Sequence, residues 1–269
     1  MPKSQSMKYL LFLLFTATLI NACNNPSTDS SDNLPEKEKN LKESITNHPD
    51  SFLLKEKLIQ YYRESGNFGQ AISETKKFIS TDSTNDRLWD IIATLYFENG
   101  DTTLSIQSFE RAIDIKAHPE YILSLGSLYA QTKNPLALAM ADALMIAKKA
   151  NAEYQALFIK GLYYSYNNEK EKAISYFDQS IAYNYTNMLA YREKAICLYD
   201  LGKYVEGLKT LEKAVTLQNS FEEGYYWMGR CYEKMGETAA AIESYKTALE
   251  FAPDYIEAKD ALSKLGVKN

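Results

Sequence analysis

The sequence of 269 residues holds little of what catalytic and metal sites are built from: two histidines and three cysteines. His48 and His118 stand beside Pro49 and Pro119 in expected loops, outside any metal-ligand spacing. Without a paired nucleophile and base or a cluster of ligands, the chain does not read as an enzyme, and no cofactor is implied. Basic excess is missing too. The formal net charge is −5 and no dense Lys/Arg cluster offsets it, which gives no electrostatic reason to approach a phosphate backbone and argues against a nucleic-acid partner. Only 11 glycines stand against 21 tyrosines, a balance that suits helices better than tight hairpins.

Long apolar runs are equally scarce. Lys3 and Lys8 precede an apolar stretch from Tyr9 to Ile20, followed by Asn21-Ala22-Cys23. As a helix that stretch spans about 18 Å, short of the roughly 30 Å hydrocarbon core, so it reads as a secretion signal and not as a membrane span. Translation starting at Met1 or at Met7 leaves the same signal. Ile20-Asn21-Ala22-Cys23 resembles the bacterial lipobox, and the resemblance implies lipidation of Cys23 after removal of residues 1–22; a plain signal peptide with an incidental cysteine is the alternative. Two or three acyl chains, at about 0.8 kcal/mol per buried methylene, would make a durable anchor. Residues 23–33, Cys-Asn-Asn-Pro-Ser-Thr-Asp-Ser-Ser-Asp-Asn, offer no apolar side chain beyond the cysteine and read as a solvated tether.

What is abundant is a repeat. Small residues recur at Ala93, Gly126, Gly161, Ala195 and Gly229, in steps of 33, 35, 34 and 34, and Ile59 lies 34 before the first. A tyrosine follows three residues later at Tyr96, Tyr129, Tyr164 and Tyr232. A second pattern opens on Ala71, Ala173 and Ala241, with Phe177 and Tyr245 one turn on. Turn residues stand in phase between the two at Gly66, Gly100, Gly202 and Gly236, where a left-handed backbone ends a helix at little cost. The period belongs to helix-turn-helix repeats. Apolar positions such as Leu157, Gly161 and Tyr164 form one stripe per helix, which neither helix alone can hide.

These residues resemble the tetratricopeptide repeat. The match is best over Glu222 to Tyr255, with Tyr225, Met228-Gly229, Tyr232, Gly236, Ala241, Tyr245, Ala248 and Pro253 in register and Ser220-Phe221-Glu222-Glu223 expected as a capping box. The resemblance implies an all-α fold, a right-handed α-solenoid of about six helical hairpins at 52–85, 86–118, 119–153, 154–187, 188–221 and 222–255. A degenerate half repeat at 34–50 would precede them, and a capping helix and tail at 256–269 would follow. In that cap Ile256, Ala261, Leu262 and Leu265 are expected inward. The first hairpin departs from the family, with Ile59 in the place of a small residue and Thr75 in that of an aromatic. Cys197 and Cys231 occupy one position of adjacent repeats, roughly 10 Å apart, too far for the disulfide that needs less than about 7 Å, and read as small buried residues.

Family ligands lie along a concave groove lined by first helices, and so a protein or peptide partner is implied there. The anchor-proximal hairpins present Glu56, Gln60, Arg63, Asp90, Thr94, Ser127 and Gln131 to it. The later ones present Phe158, Leu162, Tyr166, Leu189, Arg192, Ile196, Tyr199, Tyr226 and Arg230, a candidate site of aromatic and apolar character; packing of several of these between helices is the competing reading. The positions with which chaperone-binding members clamp a terminal carboxylate hold Gln60, Thr94, Ser127, Leu162, Ile196 and Arg230 here, which does not support that ligand. Leu144 and Met145, in a helix apolar almost all round, suggest a homodimer or partner contact, unless a local register shift buries them. The whole is expected to be a lipid-anchored scaffold of the bacterial envelope, in the outer membrane facing the periplasm, with a glycan- or nutrient-binding lipoprotein as the alternative.

Overall fold

A computed structural model describes residues 34–146 and 152–267. The signal segment, Cys23 and the tether lie outside them. The described residues are all helix and turn, with no strand, and no described helix is long and apolar enough to cross a membrane. The chain forms two compact units, dividing between Leu125 and Gly126.

Unit 1 contains α1 (Leu34–Asn47), α2 (Phe52–Glu64), α3 (Phe68–Thr81), α4 (Asp86–Glu98), α5 (Thr102–Ile115) and the start of α6 (Pro119–Gln131). Leu41 and Ile45 of α1 pack on a core of Leu58, Ile59, Tyr62, Ile72, Ile91, Leu95 and Tyr96, while the Tyr62 hydroxyl donates to Glu38 at 2.7 Å. Three helix starts here are capped by side chains. Asn67, Asn85 and Asp101 accept from the backbone N–H of Gln70, Leu88 and Leu104, each bond contributing about 1 kcal/mol.

Unit 2 contains the rest of α6, then α7 (Leu136–Ile146), α8 (Ala152–Tyr166), α9 (Lys170–Tyr183), α10 (Met188–Asp200), α11 (Tyr204–Leu217), α12 (Glu222–Met235), α13 (Thr238–Phe251) and α14 (Ile256–Lys264). Within it α8/α9, α10/α11 and α12/α13 are antiparallel hairpins of the α-solenoid kind. Close approach within a hairpin depends on the small residue. A Cβ on Gly161 would lie 2.5 Å from the Phe177 ring, and one on Gly229 would lie 2.5 Å from the Tyr245 ring. The second hairpin of unit 1 keeps the same order with Ala93 and Phe109, both fully buried, but in its first hairpin the sizes are exchanged. Ile59 is buried where glycine stands elsewhere, and sixteen residues on Thr75 is fully buried, its hydroxyl donating to the Ala71 carbonyl at 2.7 Å. Large opposite small fills the space either way.

One terminator recurs at the first helix of every hairpin. The N–H five residues on reaches back to the last turn, as Asn67 to Tyr62, Asp101 to Tyr96, Asn134 to Tyr129, Glu169 to Tyr164, Lys203 to Leu198 and Glu237 to Tyr232, the 6→1 bond of a Schellman motif. Gly66, Gly100, Gly202 and Gly236 take φ between 73° and 88° for it, but Lys133 at 59° and Asn168 at 67° do the same without glycine.

Three expectations are corrected. Leu144 is fully buried, so the register of α7 turns it inward, leaving Met145 and Ile146 exposed; the contact expected of Leu144 with a second copy has no surface to use. Ser220 makes no capping box: the N-cap of α12 is Phe221, with no side-chain cap, because Phe221 is buried over Gly224 and Glu223 is drawn inward to Arg192. In the capping helix Ile256 is 52% exposed and Ala258 takes the inward place beside Ala261 and Leu262.

Candidate interaction face

The first helices of the last three hairpins, α8, α10 and α12, lie side by side within unit 2. The residues expected along them separate into two groups. Phe158 and Leu162 are buried, Phe158 against Phe177 with ring centroids 5.8 Å apart; they are hairpin core and leave nothing for a ligand to touch. Tyr226 is nearly closed off among Trp227, Tyr245 and Tyr255, with centroids 5.2–5.7 Å away. Tyr166, Leu189, Ile196, Tyr199 and Arg230 remain partly exposed. Burial holds the Tyr166 phenol above its usual range, with the Glu193 carboxylate adding to the effect.

Arg192 points inward. Its side chain is 5% exposed and donates from Nη1 to both carboxylate oxygens of Glu223 at 2.6 and 2.7 Å, and from Nε and Nη2 to Glu193 at 3.1 and 2.9 Å. A guanidinium and two carboxylates at this depth tie α10 to α12, since a buried charge is tolerated only when paired and hydrogen-bonded. Beside it the Cys197 thiol donates to Ser165 Oγ at 3.3 Å, an oxygen that also accepts from Lys170 Nζ. Burial pushes the thiols of Cys197 and Cys231 up to about 11. Both cysteines are buried and free.

Arg230 is placed differently. Its guanidinium lies 5.3 Å from the Tyr199 ring, 5.6 Å from Trp227 and 5.9 Å from Tyr226, and it donates to the hydroxyls of Tyr226 and Tyr199, both at 3.0 Å. Tyr204 closes on Tyr199 from behind at 5.4 Å. Trp227 and Tyr204 were not among the residues expected here. The only sign in the sequence is the run Tyr225-Tyr226-Trp227, in which spacing alone picks Tyr226.

The corresponding helices of unit 1 present ions that pair among themselves. Arg63 is bidentate with Glu98, both about 9% exposed. Arg87 reaches Glu56 at 3.2 Å and Asp90 at 3.1 Å. Burial pushes the Asp90 carboxyl up to about 7 against the opposing pull of Arg87, and the charges of Glu120, Asp86 and Glu56 add to the rise. The Tyr121 hydroxyl donates to Asp86 at 2.9 Å, with His118 Nε2 at 3.5 Å from the same oxygen. His48 is exposed. Among the described residues no group of three His, Cys, Asp or Glu could hold a metal ion.

Family models for the tetratricopeptide repeat match residues 86–119, 158–220 and 222–255. The chain is a tetratricopeptide repeat protein, built on a fold that generally serves as a scaffold for protein interaction. Similar sequences include the Hsp70-Hsp90 organizing protein of Triticum aestivum, 25% identical over 64% of this chain and 28% of that protein. Hsp70-Hsp90 organizing protein 1 of Glycine max is 23% identical over 85% of this chain and 42% of its own length. The chain thus spans less than half the length of these curated relatives. Among solved structures, a tetratricopeptide repeat protein from Parabacteroides merdae is similar in fold, with TM-score 0.70 at 19% identity, covering 87% of this chain and 93% of that one. PilW, a type IV pilus biogenesis factor, gives 0.58 at 20% identity over 78% and 97%.

Proposed function

We propose that this protein is a lipid-anchored scaffold of the bacterial cell envelope, gathering protein partners along the first helices of unit 2. The observation that carries the reading is the partly exposed surface of Tyr166, Leu189, Ile196 and Tyr199, held in place by the packed core beneath it. Rigid aromatic side chains supply contact area at low entropic cost. The names of the matched relatives speak of organizing other proteins, and a non-catalytic role follows from that use of the repeat. A chaperone's terminal carboxylate is not the ligand proposed: of the positions that would clamp it, Thr94, Ser127 and Leu162 are buried.

The anchor rests on the sequence: the short apolar stretch ending in Ile20-Asn21-Ala22-Cys23, then a tether without apolar side chains. Asn24 after the cysteine favours sorting to the outer membrane, facing the periplasm. Two measurements test the two halves separately. Tyr166→Ala with Tyr199→Ala is expected to abolish partner recovery by in-cell crosslinking while helical circular dichroism stays intact; unchanged crosslinks would remove this face from consideration, and binding on a glycan array would favour a carbohydrate ligand instead. Cys23→Ser is expected to eliminate acyl labelling and move the protein from the membrane to the soluble fraction. Retention on the membrane without label would end the lipoprotein reading.

A further inference from the structure

We propose that Arg230 is the specificity anchor of this face and takes the carboxylate of an internal aspartate or glutamate in a peptide segment whose neighbouring side chains are apolar. The inference rests on the reading of unit 2 as a peptide-binding surface and names what that surface selects.

Four arginines lie on the first helices described, and three of them are neutralised at hydrogen-bond distance. Arg63 pairs with Glu98, Arg87 with Glu56 and Asp90, and Arg192 with Glu193 and Glu223. Arg230 is the exception. Its hydrogen-bond partners are two phenol oxygens, which orient a guanidinium without cancelling its charge. Glu233 Oε2 lies 3.8 Å from Nε, an ion pair that offsets part of the charge but makes no hydrogen bond to the fork, and the same oxygen accepts from the Tyr245 hydroxyl. A permanently charged fork of five N–H donors therefore has two of them bound to neutral oxygens, with its side chain 34% exposed. The aromatic rings around it fix its plane, so little entropy is lost when an anion docks.

The surroundings set the class of anion. At the same repeat position the two preceding helices carry Leu162, which is buried, and Ile196, which is partly exposed. Aliphatic surface, and not a second cation, adjoins the fork on that side. Lys170, at the start of α9, is held by Asp200 of α10 at 2.7 Å. A phosphate dianion or a chain terminus clamped from several helices would need more donors than are present. One carboxylate flanked by apolar side chains matches one guanidinium beside Ile196 and Tyr199.

The test selects short random peptides, displayed with both ends fused so that neither terminus is free, against the full chain in detergent. Peptides that bind are expected to be enriched in Asp or Glu next to apolar residues. Changing that acid to its amide in the best peptide is expected to weaken binding about tenfold or more. Arg230→Gln is expected to bind acid and amide alike, and Arg230→Lys to keep a reduced preference for the acid. The comparison of acid with amide on the unaltered protein decides the matter even where a variant fails to fold. Peptides that bind without acid preference would overturn the proposal and leave the peptide-binding face standing. So would a peptide whose sole carboxylate is its C-terminus binding as tightly as the internal acid. If no peptide is selected, or if Ile196→Asp leaves binding unchanged, the reading of the face fails and the proposal with it.

Discussion

The two units use the same helical hairpin for opposite ends. In unit 1 the first helices turn polar side chains toward one another until their charges are spent, Arg63 on Glu98 and Arg87 on Glu56 and Asp90. Three of its helix starts are tied by Asn67, Asn85 and Asp101. In unit 2 the residues that stand where Asn67 and Asp101 do, Glu169, Lys203 and Glu237 before α9, α11 and α13, make no side-chain cap bond. The charge there is sunk into the Arg192 triad, while aromatic surface and one arginine with no carboxylate at hydrogen-bond distance stay accessible. A repeat sets where side chains stand, and residue choice then decides whether a face closes on itself or is left to meet something else.

The sharpest way to break that contrast is to unpair the buried triad. Arg192→Met leaves the carboxylates of Glu193 and Glu223 buried without a cation, and a loss of about 3–5 kcal/mol in denaturant unfolding is expected, whereas replacing all three members with apolar residues should recover most of it. Equal losses for the single and triple variants would show that the unpaired charge is not what costs stability. Next in size is Gly161→Leu, which drives a side chain into the Phe177 ring. It should cost about 3 kcal/mol by overpacking, while Ile59→Gly, the reverse change at the same position of unit 1, should cost a similar amount by opening a cavity.

A smaller effect, confined to unit 1, concerns pH. The folded Asp90 carboxyl takes up its proton as pH falls through about 7, against an ordinary value of 3.8. Between those values the folded state binds a proton that the unfolded chain does not, so this group's contribution makes the protein more stable as pH falls from about 7 to about 4 and least stable above 7. Asp90→Asn should flatten that slope and raise the melting temperature at pH 8; an unchanged slope would assign it to other groups. Smaller still, Lys133→Gly relieves a left-handed backbone and should add up to about 1 kcal/mol in thermal melts. Last, Cys197 and Cys231, with thiols pushed up to about 11, should resist alkylation in the native state at pH 8 and react on unfolding.

Much of this was legible because it is periodic. A left-handed turn after the first helix can be read wherever glycine supplies it, and the small residue at Gly161 or Gly229 announces a close approach before its partner ring is known. Lys133 and Asn168 carry the same turn without that sign, because the backbone hydrogen bonds of the terminator impose it on whatever residue stands there. The candidate face was less legible. Phe158 and Leu162 share the stripe of Tyr166 and Ile196, and spacing cannot tell which member of a stripe the neighbouring hairpin covers. The depth of Leu144 turned on the local register of α7, and the start of α12 on the competition between Ser220 as a cap and Glu223 as a partner for Arg192.

By itself the sequence determined the all-helical repeat, its period, its turns and the polar-to-aromatic change along the chain, since these follow from local backbone preference and from which residues must be hidden. Only the tertiary structure decided which charges are cancelled. Pairing depends on side chains 31 to 35 residues apart meeting across adjacent helices, and it is that cross-helix geometry that spends Arg63, Arg87 and Arg192 inside the protein and leaves Arg230 at its surface.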